Sequence, residues 1–92
     1  MNPNSLTLME TFSFRDRKVE SLRTLFQTSG WGNVGAVEIF THCGKSFVIN
    51  GNHRVIAARQ AGLTHIPTIE ISVSQLRSYG YTLERLVYDC AE

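Results

Sequence analysis

Ninety-two residues allow one domain with a small core, and a composition 42% hydrophobic and 18% charged argues against disorder. The formal charge of +1 excludes a strong nonspecific field for nucleic acid, so any phosphate affinity has to be local. No apolar run is long enough to span a bilayer and no signal-peptide pattern opens the chain, so no membrane partner is expected.

Met1 to Ser5 reads as a loose lead-in, and the partial alternation of Leu6, Leu8, Phe12 and Phe14 predicts one or two short strands. From Arg17 to Gln27 the period lengthens. Val19, Leu22, Leu25 and Phe26 share one helical face, and Ser29-Gly30 stops the helix. Trp31 to Gly35 is a glycine-rich connection whose Trp serves as a core lid. Ala36 to Phe40 and Ser46 to Ile49 are the next strands. The turn Cys43-Gly44-Lys45 joins them into a hairpin. Asn50-Gly51-Asn52 breaks the apolar run, and the good helix formers from His53 to Ala61 follow, with Gly62 at the left-handed cap position. Pro67 opens the strand Thr68 to Ile71. Ser74 is expected to cap a helix from Gln75 to Tyr79, and Thr82 a last one from Leu83 to Cys90. The sum is an α+β fold, a small mixed sheet of four or five strands with three or four helices, in a single domain over residues 1–92.

The chemistry concentrates at one place. Gly51, Asn52, His53 and Arg54 fall on a turn and the first turn of a helix, where backbone N–H groups lack intrahelical partners and the dipole is positive. Phosphate is the anion that suits glycine beneath such a terminus with Arg and His beside it. Gly51, Asn52 and Arg54 are therefore the expected phosphate-binding residues. The seven arginines against two lysines suit bidentate contacts of this kind. His53 is a candidate for moving a proton and Arg54 for neutralising developing charge, which makes these two the catalytic candidates.

Residues 47–71, with 35–39 as the preceding strand, resemble the core of the ParB/sulfiredoxin superfamily. The shared pattern is a strand, then Asn50-Gly51-Asn52-His53-Arg54, the small pair Ala57-Ala58, Gly62, and Ile66-Pro67 before a strand. Residues 36–71 form this motif core. Sulfiredoxins carry a reactive Cys where this chain has Asn52, so their chemistry is not expected; Cys43 lies on the hairpin turn, ten residues before His53. The partition-protein branch is similar to Gly-Glu-Arg-Arg at these positions, and here Asn52 and His53 depart from it. The chain is closer to Asp-Gly-Asn-His-Arg of nuclease-like effector members, with Asn50 in place of Asp.

The resemblance implies a ParB-like nuclease domain, a hydrolase or toxin module acting on DNA, RNA or a nucleotide. The chain ends soon after this compact core, as in terminal effector modules. A divalent metal ion is the cofactor that branch brings, with ligands unassigned because Asn50 removes a carboxylate. An immunity or carrier protein is the partner it brings, and the setting is either cytoplasmic or delivery within a secreted effector. Two alternatives stay open: a nucleotide-binding switch without catalysis, and nucleotide-dependent phosphotransfer.

Other side chains are expected to play lesser parts. Glu10, Asp16, Glu20 and Glu38 read as solvated carboxylates, Arg15 to Arg17 as a weak cationic supplement, and Arg59 as a solvated cation. His42 and His65 read as structural. Cys43 and Cys90 permit one disulfide and form no CxxC pair.

Overall fold

Phe47, Val48 and Ile49 are consecutive and all buried, and a strand with both faces covered sets the layering of the whole fold. The computed structural model describes residues 1–9, 12, 15–32 and 34–82. Among these, a 3-10 turn at Pro3–Ser5 leads into β1 (Thr7–Leu8), α1 (Arg17–Ser29), β2 (Val37–His42), β3 (Lys45–Asn50), α2 (Asn52–Gln60), β4 (Thr68–Glu70) and α3 (Val73–Ser78). The sheet order is β1-β3-β2-β4. The central hairpin β2–β3 is antiparallel, and each outer strand runs parallel to its neighbour, with Thr7 opposite Phe47 and Val37 opposite Thr68.

Alternation along the strands sorts the core into two layers. Val37, Ile39 and Val48 face the helical layer with Val19, Phe26, Val55, Ile56, Ala57 and Ala58. Phe40, Phe47 and Ile49 face the other way, onto Ile71, Leu76 and Tyr81. In α2, four consecutive buried residues, Val55 to Ala58, show a helix wedged between the sheet and α1. The alanines keep the spacing short there, and burying Val55 and Ile56 contributes roughly 1.5–3 kcal/mol each.

The caps explain where the helices begin and end. Asp16 accepts from the Lys18 and Val19 N–H groups at 2.9 and 3.2 Å, holding the start of α1. Gly62, at φ 79°, closes α2 as its Leu63 neighbour donates to the Ala58 carbonyl at 3.0 Å. α3 begins two residues before its expected start. Ser72, not Ser74, is its N-cap, because Ser72 and Gln75 satisfy each other's backbone N–H in a capping box.

Among the remaining expectations, the one for Arg59 changes. The segment from Leu6 contributes only the two-residue strand β1 among the described residues, paired in parallel with β3. Arg59 is not solvated: its Nε donates to the Pro3 carbonyl at 2.8 Å and an Nη to the Leu6 carbonyl at 2.6 Å, clamping the N-terminal segment onto α2. Burial pushes its pKa below the usual guanidinium range. The helix expected over 83–90 lies outside the described residues. Trp31 does cover the core, stacked on Phe26 with ring centroids 4.9 Å apart. No helix among the described residues is long and apolar enough to cross a membrane.

Candidate functional site

The hairpin ends at Asn50, and the chain must then reverse into α2 within one residue. Gly51 does this at φ 113° and ψ 24°, a conformation that strains any residue bearing a Cβ. A Cβ there would also lie 2.8 Å from an Nη of Arg54 and 3.1 Å from its Nε. Gly51 therefore serves two needs at once, the turn and the room for a guanidinium beneath it. No side chain caps this terminus of α2.

Arg54 is the third residue of α2 and folds back across the turn. One of its Nη atoms donates to the Gly35 carbonyl at 2.5 Å and lies 3.4 Å from the Ala36 carbonyl. Two backbone carbonyls from the loop before β2 thus fix the guanidinium in place. They leave the Nε and second Nη edge against Gly51, with further N–H donors of the fork uncommitted.

His53, one residue earlier, points to the α1 side. Its ring stacks on Phe12 with centroids 3.6 Å apart and planes 16° from parallel. Its Nε2 lies 3.8 Å from Asp16 Oδ1, with both side chains about 30% exposed. Asp16 is therefore no free solvated carboxylate: one oxygen serves the cap of α1 and faces His53.

Asn52 is placed differently from its neighbours. It is 6% exposed, and its amide points inward. The Met9 N–H donates to its Oδ1 at 3.1 Å, and its own Nδ2 donates to the Val48 carbonyl at 3.3 Å. Its side chain bridges the end of β1 to β3 and is held inside the fold.

A second polar group lies on the opposite flank of the turn. Glu38 sits across the hairpin from Asn50, next to a register shift in β2. Its Oε1 accepts from the Tyr79 hydroxyl at 2.8 Å and from Asn50 Nδ2 at 3.1 Å. These two donors, Tyr79 first, hold the Glu38 carboxyl below its usual range despite some desolvation, with a small contribution from the charge of Arg54. The same bond to Glu38 raises the Tyr79 hydroxyl above its usual value. Glu38 reads as solvated in the sequence; the hairpin register that opposes it to Asn50 was the available signal. Nothing in the local sequence marks Tyr79, which arrives from α3.

The remaining candidates lie apart. Arg15 and Arg17 are exposed beside Asp16, and Arg17 and Lys18 line an open hollow on α1 with Ser21 and Leu22. His42 ends β2 with its ring tilted over Phe40, and the His65 Nδ1 is 3.2 Å from the Thr64 hydroxyl on the surface. Cys43 occupies the hairpin turn at φ 54° and is disulfide-bonded. Glu10 and Cys90 lie outside the described residues. Among the described residues no three His, Cys, Asp or Glu side chains converge as a metal group. No family model matches the chain, and no curated protein matches it.

Proposed function

We propose that this chain is a ParB/sulfiredoxin-like phosphate-binding domain working as a nuclease-type effector on nucleic acid. The observation that carries the reading is the Gly51 turn, with the anchored Arg54 guanidinium beneath it and His53 beside it. The α+β arrangement of hairpin, glycine turn and helix is compatible with that family. A phosphodiester phosphate resting on the start of α2 would meet the positive end of the helix dipole and the free edge of Arg54.

The chemistry follows from those two side chains. His53 accepts the proton of an attacking hydroxyl or water as its oxygen bonds to phosphorus. Arg54 balances the charge that gathers on the phosphoryl oxygens, and its carbonyl anchors mean that little reorganisation is needed. The ester bond to the leaving oxygen breaks, and that oxygen takes up a proton. The described residues around the turn bring no set of carboxylates together for the divalent ion that this branch would use, and none is assigned as its ligand.

The test is turnover. Purified protein incubated with plasmid, RNA and nucleoside triphosphates across several divalent metals is expected to cleave a phosphodiester. His53→Ala should lower the rate by roughly 10²–10⁴-fold with binding nearly intact. His53→Asn, which keeps a donor and cannot cycle a proton, should do the same. Wild-type cleavage by a folded His53→Ala protein would sink the proton-transfer role. Tight nucleotide binding with no cleavage by the wild type would transfer the case to the switch reading.

A further inference from the structure

The two helices α1 and α2 start side by side, and the contact that joins their starts is Asp16 with His53. The stack on Phe12 fixes the plane of the His53 ring. A stack alone leaves the ring free to turn over within that plane, which would exchange each nitrogen with a carbon. Asp16 removes the ambiguity, because a carboxylate oxygen favours a nitrogen over a ring C–H, and Nε2 is the atom that faces it at 3.8 Å.

We propose that Asp16 is the positioning residue for His53. It keeps the proton of the neutral imidazole on Nε2 and leaves Nδ1 as the nitrogen that accepts a proton. This deepens the nuclease reading and rests on it for the proton-accepting role of Nδ1 in turnover, whereas the tautomer itself does not. Two observations support the assignment. Asp16 is held rigidly, since its Oδ1 also accepts from Lys18 and Val19 N–H groups and cannot swing away without uncapping α1. Nδ1 of His53 has no hydrogen-bond partner among the described residues, so it is the nitrogen left to meet substrate. At 3.8 Å the Asp16 contact is longer than a hydrogen bond, and active-site contacts of this type shorten when substrate arrives. When Nδ1 takes a proton the ring becomes a cation, and the carboxylate already beside it balances that charge.

The experiment uses Asp16→Ser and Asp16→Asn, because both keep an oxygen able to cap α1 while removing the charge beside His53. Imidazole nitrogen NMR on the whole chain reads the tautomer directly. The wild type should show Nδ1 unprotonated, with an Nε2–H proton shielded from exchange. Asp16→Ser should lose that shielding by at least about tenfold and populate both tautomers. Turnover on the cleaved substrate should fall by about tenfold or more in kcat, with KM unchanged. A wild-type proton on Nδ1, or an Nε2–H indifferent to Asp16→Ser, overturns the proposal. An inactive wild type overturns the nuclease reading instead, and the NMR result then decides the Asp16–His53 assignment alone.

Discussion

Arg54 and Arg59 lie on one short helix and carry the same charge, and their surroundings give them opposite work. Arg59 spends its guanidinium on the carbonyls of Pro3 and Leu6, so it holds the N-terminal segment down. Arg54 is anchored from one nitrogen by Gly35 and keeps the rest of its fork at the Gly51 turn. Arg54→Ala should therefore weaken binding of a phosphate-bearing ligand by about tenfold to a hundredfold, the worth of a charge-assisted contact of roughly 1.5–3 kcal/mol. Its stability should change little. Arg59→Ala should do the reverse, losing stability by about 1–3 kcal/mol as two part-buried carbonyls lose a charged donor, with affinity per folded molecule kept. Urea denaturation and a binding titration of both variants check this, and equal losses of affinity would count against the site. Asn52 adds a third case, in which a side chain beside the turn ties β1 to β3.

At the scale of elements, α3 is tied to the sheet through the bond from Tyr79 to Glu38, and that tie depends on pH from both sides. Glu38 has its folded pKa lowered, so the stability it contributes is present above its unfolded value and is lost as pH falls through the folded one. Tyr79 has its folded pKa raised, so its contribution is present below its unfolded value and is lost as pH rises through the folded one. The tie is complete between these limits. Tyr79→Phe should flatten both flanks of a stability–pH profile and leave the plateau slightly lower. A profile unchanged in shape would show that the hydroxyl contributes nothing. Long-range partners of this kind also mark where the sequence stops being legible. The run Phe47 to Gly62 announces strand, turn, helix and stop because apolar pattern and glycine punctuation are local properties. Glu38 with Tyr79, Asp16 with His53, and Arg59 with Pro3 each join residues from separate elements, and only the packed fold brings them together. The start of α3 differs from the expected one for a smaller reason. Ser72 and Ser74 are equal as caps in isolation, and the outcome turns on Gln75 reaching back to the Ser72 N–H.

For the whole molecule, the arrangement of the sheet separates near neighbours in the chain from distant ones. The β2–β3 hairpin closes over a turn at Cys43-Gly44, whereas β1 reaches β3, and β4 reaches β2, only by parallel pairing across long intervening segments. Closing those segments costs chain entropy before any contact rewards it, so the hairpin and α2 should form first and β1 should dock late. In stopped-flow refolding, Val48→Ala in the hairpin should slow folding, while Leu6→Ala beside β1 should chiefly speed unfolding. Equal slowing by both would refute that order. During synthesis the order is reversed, for Thr7 and Leu8 leave the ribosome 40 residues ahead of Phe47 and Val48. That segment must wait uncommitted until its partner strand emerges, and Met9, Phe12 and Asp16 can reach Asn52 and His53 only when it finally docks.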